Sequence, residues 1–181
     1  MKKVIILQVC IIVFSLNSSA QLFSTITGFV GFYSKTPLED VKAESNNALS
    51  VINITTRELA FSVLNTTFGF RNKLMQEHFN EKYIESEKFP TSNFKGKVNE
   101  VIDLSKDGVY KVTVSGKLNI HGVEQPRTIE GEIIVKNGKV ELKSNFKVRA
   151  VDHNVKIPQV VMSKLAEEMD VSVDAVLSPK K

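Results

Sequence analysis

Residues 110–120 read YKVTVSGKLNI, and apolar and polar side chains alternate along the whole stretch. Because successive side chains of a strand point to opposite faces of a sheet, this alternation predicts one long strand with a dry face and a wet face. At about 3.3 Å per residue such a strand would be about 35 Å long, roughly twice the usual length. A sheet of that height, if it curls closed, surrounds a deep apolar tube, which suits a long apolar ligand.

Seven further segments carry strand patterns, namely 29–33, 49–54, 59–64, 94–101, 129–136, 140–149 and 171–177. The short link 55–58 predicts a hairpin, and Asn137-Gly138 predicts a two-residue turn because both of its central positions need a positive φ. A polar stretch at 35–47 and a loop at 121–126 are expected to separate strands.

Two segments change to helical spacing. The first runs over Asn72–Glu81 and the second over Pro158–Met169. Eight strands at meander-like spacing with two short helices predict an all-β fold, an eight-stranded antiparallel β-barrel. Gly116 and Gly131 fall at inward positions, where a missing side chain either relieves strand curvature or leaves volume for a ligand, and curvature is the simpler interpretation.

The first twenty residues carry the pattern of a secretory signal peptide. Lys2 and Lys3 precede an apolar run at 4–14, and small residues before Gln21 form a cleavage site. We therefore expect a signal peptide at 1–20, a single barrel domain at 21–181 and a periplasmic location. Cys10, the only cysteine, lies in the apolar run, so the mature chain would carry no thiol or disulfide.

The charge pattern excludes a nucleic-acid-binding protein and a barrel that inserts into a membrane. Without Lys2 and Lys3 the chain has 22 basic and 20 acidic side chains, which alternate along strands and give no nucleic-acid footprint. Those charges would also crowd the narrow lumen of an eight-stranded barrel if its apolar face pointed to lipid. No integral membrane insertion is expected.

Two motifs indicate a family. The segment 68–81, which reads FGFRNKLMQEHFNE, is continued by Tyr83 and Lys88-Phe89-Pro90, and 116–123, which reads GKLNIHGV, is followed by Pro126. Both resemble the YceI-like family of exported lipid-binding proteins. The resemblance implies a lipocalin-like barrel whose lumen holds a long-chain isoprenoid or a related amphiphilic lipid. At 152–158 the chain departs from the family's usual Arg-x-Asp-Phe-Gly-like pattern.

The predicted ligand-binding residues combine the apolar cluster of the first helix with inward positions of the long strands. The cluster either seals the barrel core or lines the lipid entrance. His78, with Asn80 and Glu81, either contacts a polar head group or simply packs the helix. The full predicted set is Phe32, Phe70, Leu74, Met75, His78, Phe79, Tyr83, Val112, Val114, Leu118 and Phe146.

Other functions remain open on the sequence alone. The three histidines, His78, His121 and His153, lack a metal-ligand spacing, and no nucleophile motif is present, so neither a cofactor nor catalysis is expected. A lipid-modifying enzyme would pair His78 with Glu81 or Glu85. A cell-envelope interaction module would instead have a solid core filled by large side chains. The sequence also leaves a homodimer open.

Overall fold

The computed structural model of the chain describes residues 22–35, 40–156 and 168–180. Within these ranges nine strands form one sheet. The strands are β1 (Leu22–Ser34), β2 (Val41–Asn53), β3 (Glu58–Leu64), β4 (Gly69–Phe70), β5 (Thr91–Val98), β6 (Gly108–Ile120), β7 (Val123–Lys136), β8 (Lys139–Arg149) and β9 (Glu168–Pro179).

Eight long strands close into a barrel. Their order around the wall is β1-β9-β8-β7-β6-β5-β3-β2, and β1 also pairs with β2. Every neighbouring pair is antiparallel. The predicted eight-stranded antiparallel barrel is confirmed, and β4 adds only two residues beside β2.

The long strand of the sequence pattern is β6, which pairs with β7 over its whole length. The predicted loop at 121–126 is wrong, because His121 and Gly122 alone make the turn, with φ values of 53° and 73°. Polar residues and Pro126 suggested a loop. They belong to β7, which starts at Val123 and in which half-buried and exposed residues alternate over 123–128.

The polar stretch at 35–47 is also partly wrong, since β2 already begins at Val41. The side chains that β2 buries there are small, so they leave little hydrophobic signal. Ala43 is 1% exposed, Ser45 2% and Ala48 0%.

One short helix precedes β5. Helix α1 spans Lys73–His78 and continues as a π-helical turn over Phe79–Tyr83. Its N-terminus is capped by Asn72, whose side chain accepts a hydrogen bond from the Leu74 backbone N–H. For the second predicted helix, residues 158–167 lie outside the described ranges. Its last two positions, Glu168 and Met169, are corrected to strand, because they pair with Arg149 and Val148.

Inward glycines lie where the backbones of neighbouring strands approach closely. Gly116 lies opposite Gly96, and a Cβ atom on Gly116 would fall 2.2 Å from the Lys95 carbonyl oxygen. At Gly131 it would fall 2.6 Å from the Lys143 carbonyl oxygen. Close backbone approach therefore requires glycine at both positions, as the curvature interpretation predicts.

The two ends of the barrel differ. The lower end, which carries the turns 54–57, 99–107 and 137–138, is filled by side chains that are at most 2% exposed, Ile52, Val98, Leu104, Val140 and Leu177. The upper end carries α1 and the turns 121–122 and 150–153. In the described part of the chain, no helix is long and apolar enough to cross a bilayer.

Candidate functional site

A cavity of about 530 Å³ lies above the filled lower end of the barrel. That volume is typical of small-molecule sites. The inward faces of the strands supply most of its wall, in which apolar residues predominate. They include Val30, Leu59, Phe61, Val63, Phe94, Val112, Val114, Leu118, Ile129, Ile133, Leu142, Phe146, Val148, Val171 and Val173.

All eleven sequence-predicted residues lie in the lining of this one cavity. The deeper part of the cavity is lined by the four strand positions Val112, Val114, Leu118 and Phe146. The other seven, from Phe32 and from the segment 70–83, surround its upper end. The structure thus brings the whole predicted set together, and its contact with a ligand stays a prediction.

Four phenylalanines pack against one another under the helix. The ring of Phe32 lies 5.4 Å from Phe68, 5.9 Å from Phe70 and 5.6 Å from Phe79, measured between centroids. Phe79 also contacts Phe68 at 5.8 Å and Phe70 at 5.1 Å. Tilted and edge-on contacts at these distances are favourable. The cluster therefore packs α1 against the wall and lines the cavity at once. That the helix residues line a lipid entrance stays a prediction.

The helix forms the outer edge of the cavity. Leu74 lines it and is nevertheless 56% exposed, which places this side chain where the cavity meets solvent. Both ends of the Asn80 amide are hydrogen-bonded within the helical segment and the residues that follow it. The amide donates to the Gln76 carbonyl at 2.9 Å and accepts from the Ser86 hydroxyl at 2.6 Å. Asn80 therefore stabilises the π-helical turn, and Glu81 is exposed outside the lining.

Buried polar groups in the wall are satisfied by the protein. Asn65, fully buried, donates to the Phe89 carbonyl at 2.7 Å and accepts from the Ser92 hydroxyl at 2.8 Å. His153, 1% exposed, bonds through Nδ1 to the Val123 carbonyl at 3.0 Å, and burial lowers its pKa. Because these groups already have partners, they present little unmet polarity to a ligand.

Glu81 and Glu85 are the two possible partners of His78 in a reactive pair, and neither lines the cavity. Glu85 contacts Nε2 of His121 at 2.7 Å, and this hydrogen bond lowers the pKa of the Glu85 carboxyl. Across the described ranges, no three His, Cys, Asp or Glu side chains are grouped to hold a metal ion.

The comparisons with known proteins settle the family. Residues 13–177 match the YceI-like domain. The chain belongs to the YceI-like family. No curated protein matches it.

Solved structures share the fold of this YceI-like chain. A polyisoprenoid-binding domain from Saccharophagus degradans superposes with a TM-score of 0.74 at 12% identity, over 89% of this chain and 99% of that domain. Burkholderia cenocepacia BcnA gives 0.69 at 13% identity, over 83% and 96%. The Campylobacter jejuni YCEI protein gives 0.63 at 16% identity, over 81% and 89%.

Several lining residues of the YceI-like cavity were absent from the predicted set. Leu59, Phe61 and Val63 line it as alternate residues of β3, so strand periodicity alone could have identified them. His153 belongs to the short 3₁₀ turn 150–153, where no periodic pattern marks a buried position. Its place in the wall follows only from the tertiary structure.

Proposed function

We propose that this YceI-like protein binds a long-chain isoprenoid or related amphiphilic lipid in the barrel lumen, and sequesters or carries it. The observation that carries this proposal is the apolar cavity of about 530 Å³ above a filled barrel end. An apolar chain that enters it exchanges water for packed side chains, and that transfer is the driving force.

The free energies of burial and of association set a minimum length for the ligand. Burial stabilises by about 0.8 kcal/mol per CH₂, while association costs roughly 4–15 kcal/mol before any net affinity remains. Fifteen carbons give about 12 kcal/mol in total, so useful affinity favours chains of at least about that length. The description of the S. degradans relative as a polyisoprenoid-binding domain supports the same ligand class.

We place this activity in the periplasm. The proposal rests on the charged start, apolar run and cleavage pattern of residues 1–20. Cell fractionation followed by intact mass measurement tests it. A mature chain that begins at Gln21 in the periplasmic fraction is expected, and an uncleaved chain in the cytoplasm would contradict the proposed location.

The rival functions have less support. A solid-core interaction module would fill the lumen with large side chains, whereas the upper lumen contains a cavity. A lipid-modifying enzyme would need a reactive pair at the cavity, but Glu81 and Glu85 lie outside its lining and Glu85 is bonded to His121.

A cavity-filling substitution tests the binding proposal. Val112→Trp places an indole in the lumen, whereas Lys111→Trp places the same group on the outer face of the same strand. All-trans-retinol, a fluorescent isoprenoid, is the probe. We expect Val112→Trp to weaken retinol binding by about tenfold or more, a change of 1.4 kcal/mol, with Lys111→Trp near wild type. Equal binding by both variants would refute lumenal binding.

A further inference from the structure

Strands β7 and β8 separate in the upper part of the barrel wall, and we call this unpaired stretch the β7–β8 seam. These strands pair from Lys136↔Lys139 up to Glu132↔Lys143, and above that pair no backbone ladder joins 123–131 to 144–149, two segments that are described throughout. On the other sides the ladders continue upward, to Ile120↔Val123 between β6 and β7 and to Arg149↔Glu168 between β8 and β9. The gap between β7 and β8 therefore lies between two strands that each stay paired on their other side.

Side chains bridge this seam. Arg127 donates to the Lys147 carbonyl, Ser144 donates to the Glu130 carbonyl at 2.6 Å, and Gln125 donates to the Asp152 carbonyl at 2.8 Å. Each bond joins a side chain to the backbone across the gap. The first two are exposed to solvent, so water can replace them when the strands separate.

The cavity extends to the lower end of the seam, at Glu132 and Lys143. Among the described lining residues only Glu130, Glu132 and Lys143 are Asp, Glu, Lys or Arg, and all three lie where β7 and β8 diverge. Glu130 and Lys143 are exposed to solvent, so their place in the lining marks a point where the cavity approaches solvent through the wall.

A second seam shows the contrast. Between β2 and β3 the ladder covers only Leu49↔Ser62 to Ile52↔Leu59, but there β4 pairs with the upper part of β2 and Phe68 packs beneath it. The gap between β2 and β3 is therefore closed by backbone pairing with β4 and by buried aromatic side chains. In the described structure, the β7–β8 seam is bridged by side chains alone.

We propose that the seam above Glu132 and Lys143 is a lateral portal through which the apolar chain of the ligand enters and leaves the cavity. The inference rests on the proposed lipid binding. The Arg127 and Ser144 bonds act as straps that close the portal, and their exchange with water lets β7 and β8 separate while the rest of the ladder stays paired.

Cross-linking across the seam tests the portal. In the chain from Gln21 onward, which contains no cysteine, Thr128→Cys is combined with Lys147→Cys on β8. In the control it is combined with Ser115→Cys, its paired neighbour on β6. A short bis-methanethiosulfonate reagent links each pair and a reductant releases it, so every protein is its own reference. Stopped-flow fluorescence follows retinol uptake and release.

We expect the Thr128–Lys147 link to slow uptake and release by about tenfold or more, with recovery on reduction, and the Ser115–Thr128 link to change them less than about twofold. Unchanged rates in the linked Thr128–Lys147 protein would overturn the portal. Failure of the unlinked proteins to bind retinol would instead refute the proposed function. Arg127→Ala, which needs no cross-link, should accelerate release, and an unchanged release rate would also count against the portal.

Discussion

Nε2 of His121 lies 2.7 Å from Oε2 of Glu85, and Nδ1 of the same ring lies 3.3 Å from the His153 carbonyl oxygen. One imidazole thus joins the segment after α1, the β6–β7 turn and the 150–153 turn. The Phe89 ring packs on it with centroids 4.4 Å apart. These contacts tie together three connections at the upper end of the barrel.

The contact between Glu85 and His121 should make the folding stability depend on pH in the acid range. The hydrogen bond to His121 lowers the pKa of Glu85 from 4.5, so its contribution is present above that value and is lost as pH falls through the folded-state pKa. Glu85→Gln should lower the melting temperature at neutral pH, with a difference from wild type that shrinks in acid. Thermal unfolding across pH measures this. The exposed neighbour Glu87→Gln is the control, and equal effects of both variants would contradict the pairing.

His153 predicts a second pH dependence at higher pH. Burial lowers its pKa from 6.5, so the unfolded chain binds the proton more readily and folding stability falls as pH drops below that value. His153→Asn keeps a donor near the Val123 carbonyl but does not titrate. Urea unfolding should show a flatter stability profile between about pH 7 and pH 5 for this variant. An unaltered slope would show that other groups cause the dependence.

The phenylalanine cluster should contribute strongly to stability. Phe32→Ala removes ring contacts to Phe68, Phe70 and Phe79 and should cost roughly 2–4 kcal/mol in the free energy of unfolding, measured with urea. Phe29, on the same strand, is half-buried and lines an outer groove. We expect Phe29→Ala to cost about 1 kcal/mol or less. A Phe32→Ala loss no larger than the control would show that the cluster does not anchor the helix.

Gly116 should tolerate no side chain. A Cβ atom there meets the Lys95 carbonyl oxygen at 2.2 Å, so Gly116→Ala must move backbone and should cost about 2 kcal/mol or more. At Gly69 the nearest atom to a Cβ is 3.7 Å away, and Gly69→Ala should change stability by less than about 0.5 kcal/mol. Denaturant midpoints compare the two, and similar values would contradict the curvature interpretation.

Period-two alternation was enough to predict the barrel, because each strand has one apolar face wherever large residues point inward. It failed at Ala43–Ala48, where the buried side chains are small, and at Pro126, which β7 accommodates. The predicted cavity residues came from the same alternation and from the aromatic helix. The contact of Glu85 with His121 and the divergence of β7 from β8 depend on how distant segments meet, and no local pattern encodes them.

In the proposed function, the lumen holds a long-chain isoprenoid-type lipid. The most direct test purifies the protein from its source cells at native abundance, extracts it with organic solvent and identifies any stoichiometric lipid by mass spectrometry. We expect one isoprenoid species at about one molecule per protein, with clearly less of it in a parallel extract of Val112→Trp. An empty extract, together with no uptake of added isoprenoids by the purified protein, would contradict the claim.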